Sequence, residues 1–250
     1  MTWPGRRCDE VRLGFTLLTR LPMGRIGREL PLAAAFWSYP LVGAVVGGLM
    51  ALVYAGAGWA GLSAAAAAVL AVAAGILLTG GLHEDGFGDT LDGFGGGKTR
   101  EDKLRIMKDS RVGSYAVCGL VLALGFRVVL IAGLGTPDQA LAVLVSVHAA
   151  SRAILPALML ILPAVNAGGL GDAAARNAGP AQVLAALTLG LAVGPCAGLP
   201  VWPFVLTLCL CLVGSALLAW RQLRGITGDV LGFAQVATEL ALLAVSSAAP

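Results

Sequence analysis

Leu32–Leu82 reads LAAAFWSYPLVGAVVGGLMALVYAGAGWAGLSAAAAAVLAVAAGILLTGGL, without one Asp, Glu, Lys or Arg. A helix needs about 20 mostly apolar residues to cross the ~30 Å of bilayer hydrocarbon. The stretch therefore predicts two crossings, at 32–56 and 62–82, within a charge-free interval from Glu29 to Glu84. A second such interval separates Arg176 from Arg221. Between Arg111 and Asp172 the only charges are Arg127, Asp138 and Arg152. The same rule applied outward predicts seven spans: 32–56, 62–82, 112–135, 139–163, 181–200, 202–220 and 229–249. The last holds Glu239 and several polar residues. The apolar runs are continuous rather than alternating, which argues against a transmembrane β-barrel.

Composition agrees. Of 250 residues, 58% are hydrophobic and 12% charged, with mean hydropathy +0.85. Soluble domains average about 25% charged residues. A soluble globular enzyme, a disordered chain and a nucleic-acid binder are argued against on that ground. The 35 glycines suit membrane helices, where glycine is more frequent than in soluble ones. The fold class expected is all-α, a polytopic integral membrane helix bundle of about seven transmembrane helices.

The N-terminus does not read as a secretory signal, because Arg12 and Arg20 interrupt its apolar stretch. Segment 9–21 sets Val11, Phe15 and Leu18 at near-helical spacing. It reads as an interfacial amphipathic helix or as a packed terminal helix. Orientation follows from the Lys/Arg bias of short loops. Arg6, Arg7, Arg12, Arg20, Arg25 and Arg28 precede the first span; Lys98, Arg100, Lys103, Arg105, Lys108 and Arg111 fall in 83–111. Arg176, Arg221 and Arg224 follow on the same side once spans alternate, and the opposite loops carry no basic residue. The basic side is expected in the cytoplasm. Cys8, Cys118, Cys196, Cys209 and Cys211 form no CxxC pair and read as inert thiols.

The chemistry concentrates in Gly80–Gly113, GGLHEDGFGDTLDGFGGGKTREDKLRIMKDSRVG. Glu84, Asp85, Asp89 and Asp92 fall within nine residues. Asp85, Asp89 and Asp92 are spaced i, i+4, i+7, within about 60° of one another on a helix, while Glu84 points to a different side. Three carboxylates on one stripe repel, and a hard divalent cation such as Mg²⁺ or Mn²⁺ would offset that repulsion. The surrounding glycines remove bulk, so that phosphate can approach the backbone. Carboxylates for metal beside glycines for phosphate are the composition of a phosphoryl-transfer site.

Lys108, Asp109, Ser110 and Arg111 follow where the segment meets the third span. Lys and Arg neutralise phosphate oxygens, Arg bidentately; the same two residues also serve as positive-inside anchors. His83 reads as a supporting group, a base or an interfacial histidine. Arg152 and His148 share a helix face at membrane depth, which favours a polar cavity over lipid. Arg127 would pair with an acid or snorkel. Thr227 and Asp229 open the last span, either contacting phosphate or metal or capping the helix.

Four pieces in order resemble the cobalamin synthase family, the adenosylcobinamide-GDP ribazoletransferases of bacterial and archaeal vitamin B12 synthesis. They are Phe15–Pro22 (FTLLTRLP), His83–Gly93 (HEDGFGDTLDG), Ile106–Gly113 (IMKDSRVG) and Thr227–Gly232 (TGDVLG). Glu84, Gly88 and Leu91 depart from the family's usual core residues, without removing a carboxylate.

The resemblance implies an enzyme that joins adenosylcobinamide-GDP to α-ribazole or its 5'-phosphate. The ribazole 3'-hydroxyl attacks the phosphate attached to cobinamide, and GMP leaves. It implies a Mg²⁺ cofactor and a multi-pass protein of a bacterial or archaeal cell membrane with its active site facing the cytoplasm. On this reading Asp85, Asp89 and Asp92 hold the metal, and Asp89, Asp92 or Glu84 takes the proton. Lys108, Asp109, Ser110, Arg111, Thr227, Asp229 and Arg152 contact phosphate or substrate. Residues 1–250 form a single transmembrane catalytic domain, with 1–29 a cytoplasmic or interfacial segment and 83–111 a cytoplasmic active-site loop. The partners are small-molecule substrates and the lipid membrane, with no nucleic acid; a homo-oligomer is left open. Two alternatives compete: a CDP-alcohol phosphotransferase-like phospholipid enzyme, whose Ala-Arg pair after the first Asp-Gly is missing here, and an ion-coupled transporter.

Overall fold

The computed structural model describes residues 3–27, 29–165, 179–196, 199 and 201–247. Arg28 and Arg176, counted toward the charge bias, and the side chain of Cys196 lie outside the described residues. The elements are α1 (Trp3–Leu18), a 3-10 helix (Leu32–Ser38), α2 (Tyr39–Trp59), α3 (Ala64–Thr79), α4 (Leu82–Gly96), α5 (Arg100–Met107), α6 (Ser114–Ala132), α7 (Pro137–Ile161), α8 (Pro180–Cys196), α9 (Val201–Leu223) and α10 (Gly228–Ser247). No strand occurs among the described residues; Ala164 and Ile226 form one isolated bridge.

Among the described residues, five segments are long and apolar enough to cross a membrane: Leu32–Trp59, α6, α7, α9 and α10. Two expected spans come out shorter. The one at 62–82 is the 16-residue α3, and the one at 181–200 is the 17-residue α8. The last expected span, despite Glu239, is present as α10. Apolar side chains point outward along α6 (Val117, Val121, Leu122) and α9 (Leu206, Leu210, Val213). A soluble monomer rarely shows such continuous apolar faces; lipid covers them in a bilayer.

At the centre α7 packs against α2, α8 and α10. Gly43 and Gly47 let α2 reach it: a Cβ on either would collide with the carbonyl oxygen of His148 or Leu144. Small residues one turn apart permit such backbone contact in membranes. The N-terminal segment is a packed helix. Phe15 and Leu18 are buried, and buried Glu10 accepts from Arg6, Arg7 and the Trp37 indole N–H (2.8 Å).

The break between α3 and α4 places the chemistry. Gly80 and Gly81 both have φ +69, a conformation that only glycine adopts without steric cost. The two helices meet at 90°. They qualify as a candidate span only together, as a bent pair; the four acids of α4 argue against its lying in hydrocarbon, and we read α4 and α5 as lying outside the spans. The expected loop 83–111 is thus mostly helix. Thr99 caps α5 by accepting from Asp102 N (3.1 Å), and Arg100 Nε donates to Leu223 O at the end of α9 (2.7 Å).

Candidate active site

The acid stripe is helical, as its spacing predicts, and α4 packs along α10. Two glycines control the approach. A Cβ on Gly86 would lie 2.8 Å from Asp229 O and 2.9 Å from its Cα, and a Cβ on Gly232 would lie 2.9 Å from His83 O. With no side chain between the backbones, Asp229 comes to stand beside Asp85. Both line an apolar cleft of about 240 Å³, walled by Leu17, Tyr39, Leu155 and Met159. Asp85 also opens onto a polar cleft of about 560 Å³ with Thr16, Thr19, Arg20 and Gly80.

Asp89 is pushed up to about 6, first by partial burial and then by the charges of Asp85, Asp229 and Asp92. Carboxylates crowded to that degree call for a positive counter-charge. Among the described residues no three of His, Cys, Asp and Glu converge on one metal position. Mg²⁺ does not require that, since it binds through one or two carboxylates plus substrate phosphates and retained waters. The oxygen donors Asp85 and Asp229, which line one cleft, therefore fit such an ion.

Asp92 is placed differently from the expectation. Its two oxygens accept from Gly113 N (2.6 Å) and Ala116 N (2.9 Å). It caps α6, whose own N-cap residue is a side-chain-less glycine. Free amides at a helix start demand an acceptor, and a buried carboxylate from α4 supplies it.

Glu84 and Arg152 are not brought to the acid stripe. Arg127 Nη1 donates to Glu84 Oε1 (2.8 Å). Its Nε stands 2.8 Å from Glu239 Oε1, a charge pair that is not aligned as a hydrogen bond. Glu239 Oε2 accepts from Gln235 Nε2 (2.9 Å) and lies 3.7 Å from His148 Nδ1. Arg152 Nη1 reaches the same His148 Nδ1 at 3.1 Å. Arg127, His148, Arg152 and Glu239 are all under 5% exposed, so this is an internal ion network tying α4, α6, α7 and α10 together. The shared face of His148 and Arg152 and the pairing of Arg127 match the sequence reading. His83 is buried within the protein, lining the apolar cleft with its Nε2 unbonded.

The remaining expected residues frame the stripe. Lys108 follows α5, is exposed, and its charge acts on Asp229. Asp109 and Arg111 form an exposed ion pair (2.6 Å), which holds Asp109 at about 2; Ser110 is exposed between them. Thr227 accepts from Val230 N (3.2 Å), the capping role, while Asp229 lines the cleft. Thr19 and Arg20 line the polar cleft although residue type alone gives them no site role: Arg20 counts only toward the basic side, and the Phe15–Pro22 motif is what sets both apart.

A polytopic helical membrane bundle that sets carboxylates, basic side chains and closely approachable backbone at one helix junction defines a membrane-embedded transferase of phosphate esters. The cobalamin-5-phosphate synthase family model matches residues 10–247, and the chain belongs to that family. It is 40% identical over 247 residues to an adenosylcobinamide-GDP ribazoletransferase of Bradyrhizobium diazoefficiens, covering 96% of this chain and 93% of the relative. It is 41% identical to that of Mesorhizobium japonicum (98% and 95% covered) and 44% identical to that of Leptothrix cholodnii (93% of each). No solved structure matches the chain.

Proposed function

We propose that the chain joins adenosylcobinamide-GDP to α-ribazole or its 5'-phosphate, releasing GMP, with Mg²⁺ as cofactor. The observation that carries this reading is the meeting of Asp85 and Asp89 with Asp229 at the glycine-permitted contact of α4 and α10.

Asp85 and Asp229 would hold Mg²⁺ together with diphosphate oxygens. When bound, the ion neutralises phosphate charge and the charge that develops on the leaving GMP. Asp89 is assigned the proton of the attacking hydroxyl. Burial is the largest single cause of its raised affinity for a proton and persists with the cation present, and a base working near neutral pH needs such an elevation. Lys108 is assigned a phosphate oxygen. Arg111 reaches phosphate by exchanging its Asp109 partner for it, at little cost because an exposed ion pair is weak. Asp92 supports the site by fixing the start of α6 against α4.

The site faces the cytoplasm on this reading. Lys98, Arg100, Lys103, Arg105, Lys108 and Arg111 gather on its side, whereas Ala60–Gly61 and Gly133–Thr136 carry no basic residue.

The test is turnover. Purified protein in liposomes receives adenosylcobinamide-GDP, α-ribazole 5'-phosphate and Mg²⁺, with EDTA and Asp89→Asn controls. Metal-dependent GMP release with a matching corrinoid product is expected. Asp89→Asn should lose about 10²-fold or more of that rate while still binding Mn²⁺, read by electron paramagnetic resonance. Retention of activity within a few-fold sinks the assignment of Asp89, and absence of release with either acceptor sinks the reaction.

A further inference from the structure

We infer that Arg20 is a substrate-binding residue of this site, taking a diphosphate oxygen of the nucleotide donor from the α1 side; this rests on the reaction proposed above. In the chain Arg20 lies far from the acid stripe, and only the fold brings the two together. The turn that carries it is held firmly. Thr19 Oγ1 donates to Phe15 O (2.7 Å) and accepts from Leu21 N (3.2 Å). The main-chain N–H of Arg20 donates to Leu78 O (2.7 Å) at the end of α3. Its side chain then lies across Gly80, where an added Cβ would collide with Nε and sit 3.0 Å from Cγ and Cζ. The double glycine that turns the chain by 90° therefore also clears a seat for the guanidinium.

Arg20 and Asp85 line the same polar cleft of about 560 Å³, with the hydroxyl-bearing residues Thr16, Thr19 and Thr79. Arg6, Arg7, Arg105, Arg111 and Arg127 each pair with a carboxylate. No carboxylate pairs with the exposed Arg20 guanidinium among the described residues. An Arg fork without an internal acid, beside carboxylates suited to a cation, matches a phosphate bidentately. A lipid headgroup phosphate offers the same chemistry, so the test separates the two sources.

Arg20→Gln and Arg20→Lys are compared with the wild type in phosphatidylcholine vesicles with and without phosphatidylglycerol. The main-chain bond to Leu78 survives in both variants, and circular dichroism checks the fold. Arg20→Gln should raise the donor KM about tenfold or more in both lipids, with the acceptor KM unchanged, and Arg20→Lys should recover only part of the loss. Separately, titration with GDP and Mg²⁺ should show a similar weakening for Arg20→Gln. That arm reads Arg20 even if no turnover occurs, so failure of the reaction and failure of this inference remain distinguishable. Unchanged donor KM and GDP affinity overturn the inference. So does a loss confined to vesicles containing phosphatidylglycerol, which assigns Arg20 to lipid, or an equal rise in both KM values.

Discussion

Replacing Arg127 with Met should destabilise the protein strongly while leaving the reacting groups in place. Arg127 is 3% exposed and faces Glu84 and Glu239, each at 2.8 Å. Without it, Glu239 keeps Gln235 and His148 but loses its nearest cation, and Glu84 loses its partner. Removing one member of a buried ion pair costs about 3–5 kcal/mol. For a chain of this size each kcal/mol corresponds to about 2–4 °C, so Tm should fall by roughly 6–20 °C. Thermal unfolding in detergent, followed by near-ultraviolet circular dichroism, measures it. Adding Glu239→Gln should return about 1–3 kcal/mol, because the uncompensated charge goes with it. Turnover measured well below the lowered Tm should survive, since none of these groups touches the acid stripe. A Tm shift under about 3 °C, or single effects that simply add, would refute the reasoning that the network is a coupled buried unit.

Asp92→Ala should cost about 1–3 kcal/mol by leaving buried amides unpaired, and amide exchange at Gly113 and Ala116 should accelerate; loss of Mn²⁺ binding with an unchanged Tm would instead make Asp92 a ligand. Gly86→Ala should cost about 1–3 kcal/mol by overpacking and lower turnover by parting Asp229 from Asp85; full activity would remove the α4–α10 contact from the argument. In cation-free protein, Asp89 is raised from 3.8 to about 6. A carboxylate raised on folding contributes stability that is full below its unfolded value and lost as pH rises through the folded one. The wild type should therefore gain Tm relative to Asp89→Asn as the pH falls from about 7 to 5, and Mg²⁺ should narrow the difference by offsetting the neighbouring carboxylate charges while the part due to burial stays; a difference flat with pH would contradict the crowding at Asp89.

What the sequence determined by itself was the class of the protein and the row of acids. Span-forming potential is a local property, because a charge-free run is apolar whatever surrounds it, so α2, α6, α7, α9 and α10 were readable. Helical periodicity likewise put Asp85, Asp89 and Asp92 on one side and Glu84 on another. Four motifs in order carried the family.

What only the tertiary structure decided was the partner of each polar side chain. Periodicity says which way a residue points along its own helix, and nothing about what another helix sets opposite. Asp92 therefore read as a ligand, although the amides of Gly113 and Ala116 claim its oxygens. Glu84 and Arg152 read as site residues, although the internal network holds both. The 90° turn at Gly80–Gly81 came from two left-handed residues whose apolar context looked like an uninterrupted span. That turn, together with the glycine contact of α4 and α10, brings Arg20, Asp85 and Asp229 from three distant parts of the chain to one place. Such convergence is a sum of long-range packing contacts, which no local pattern of residues encodes.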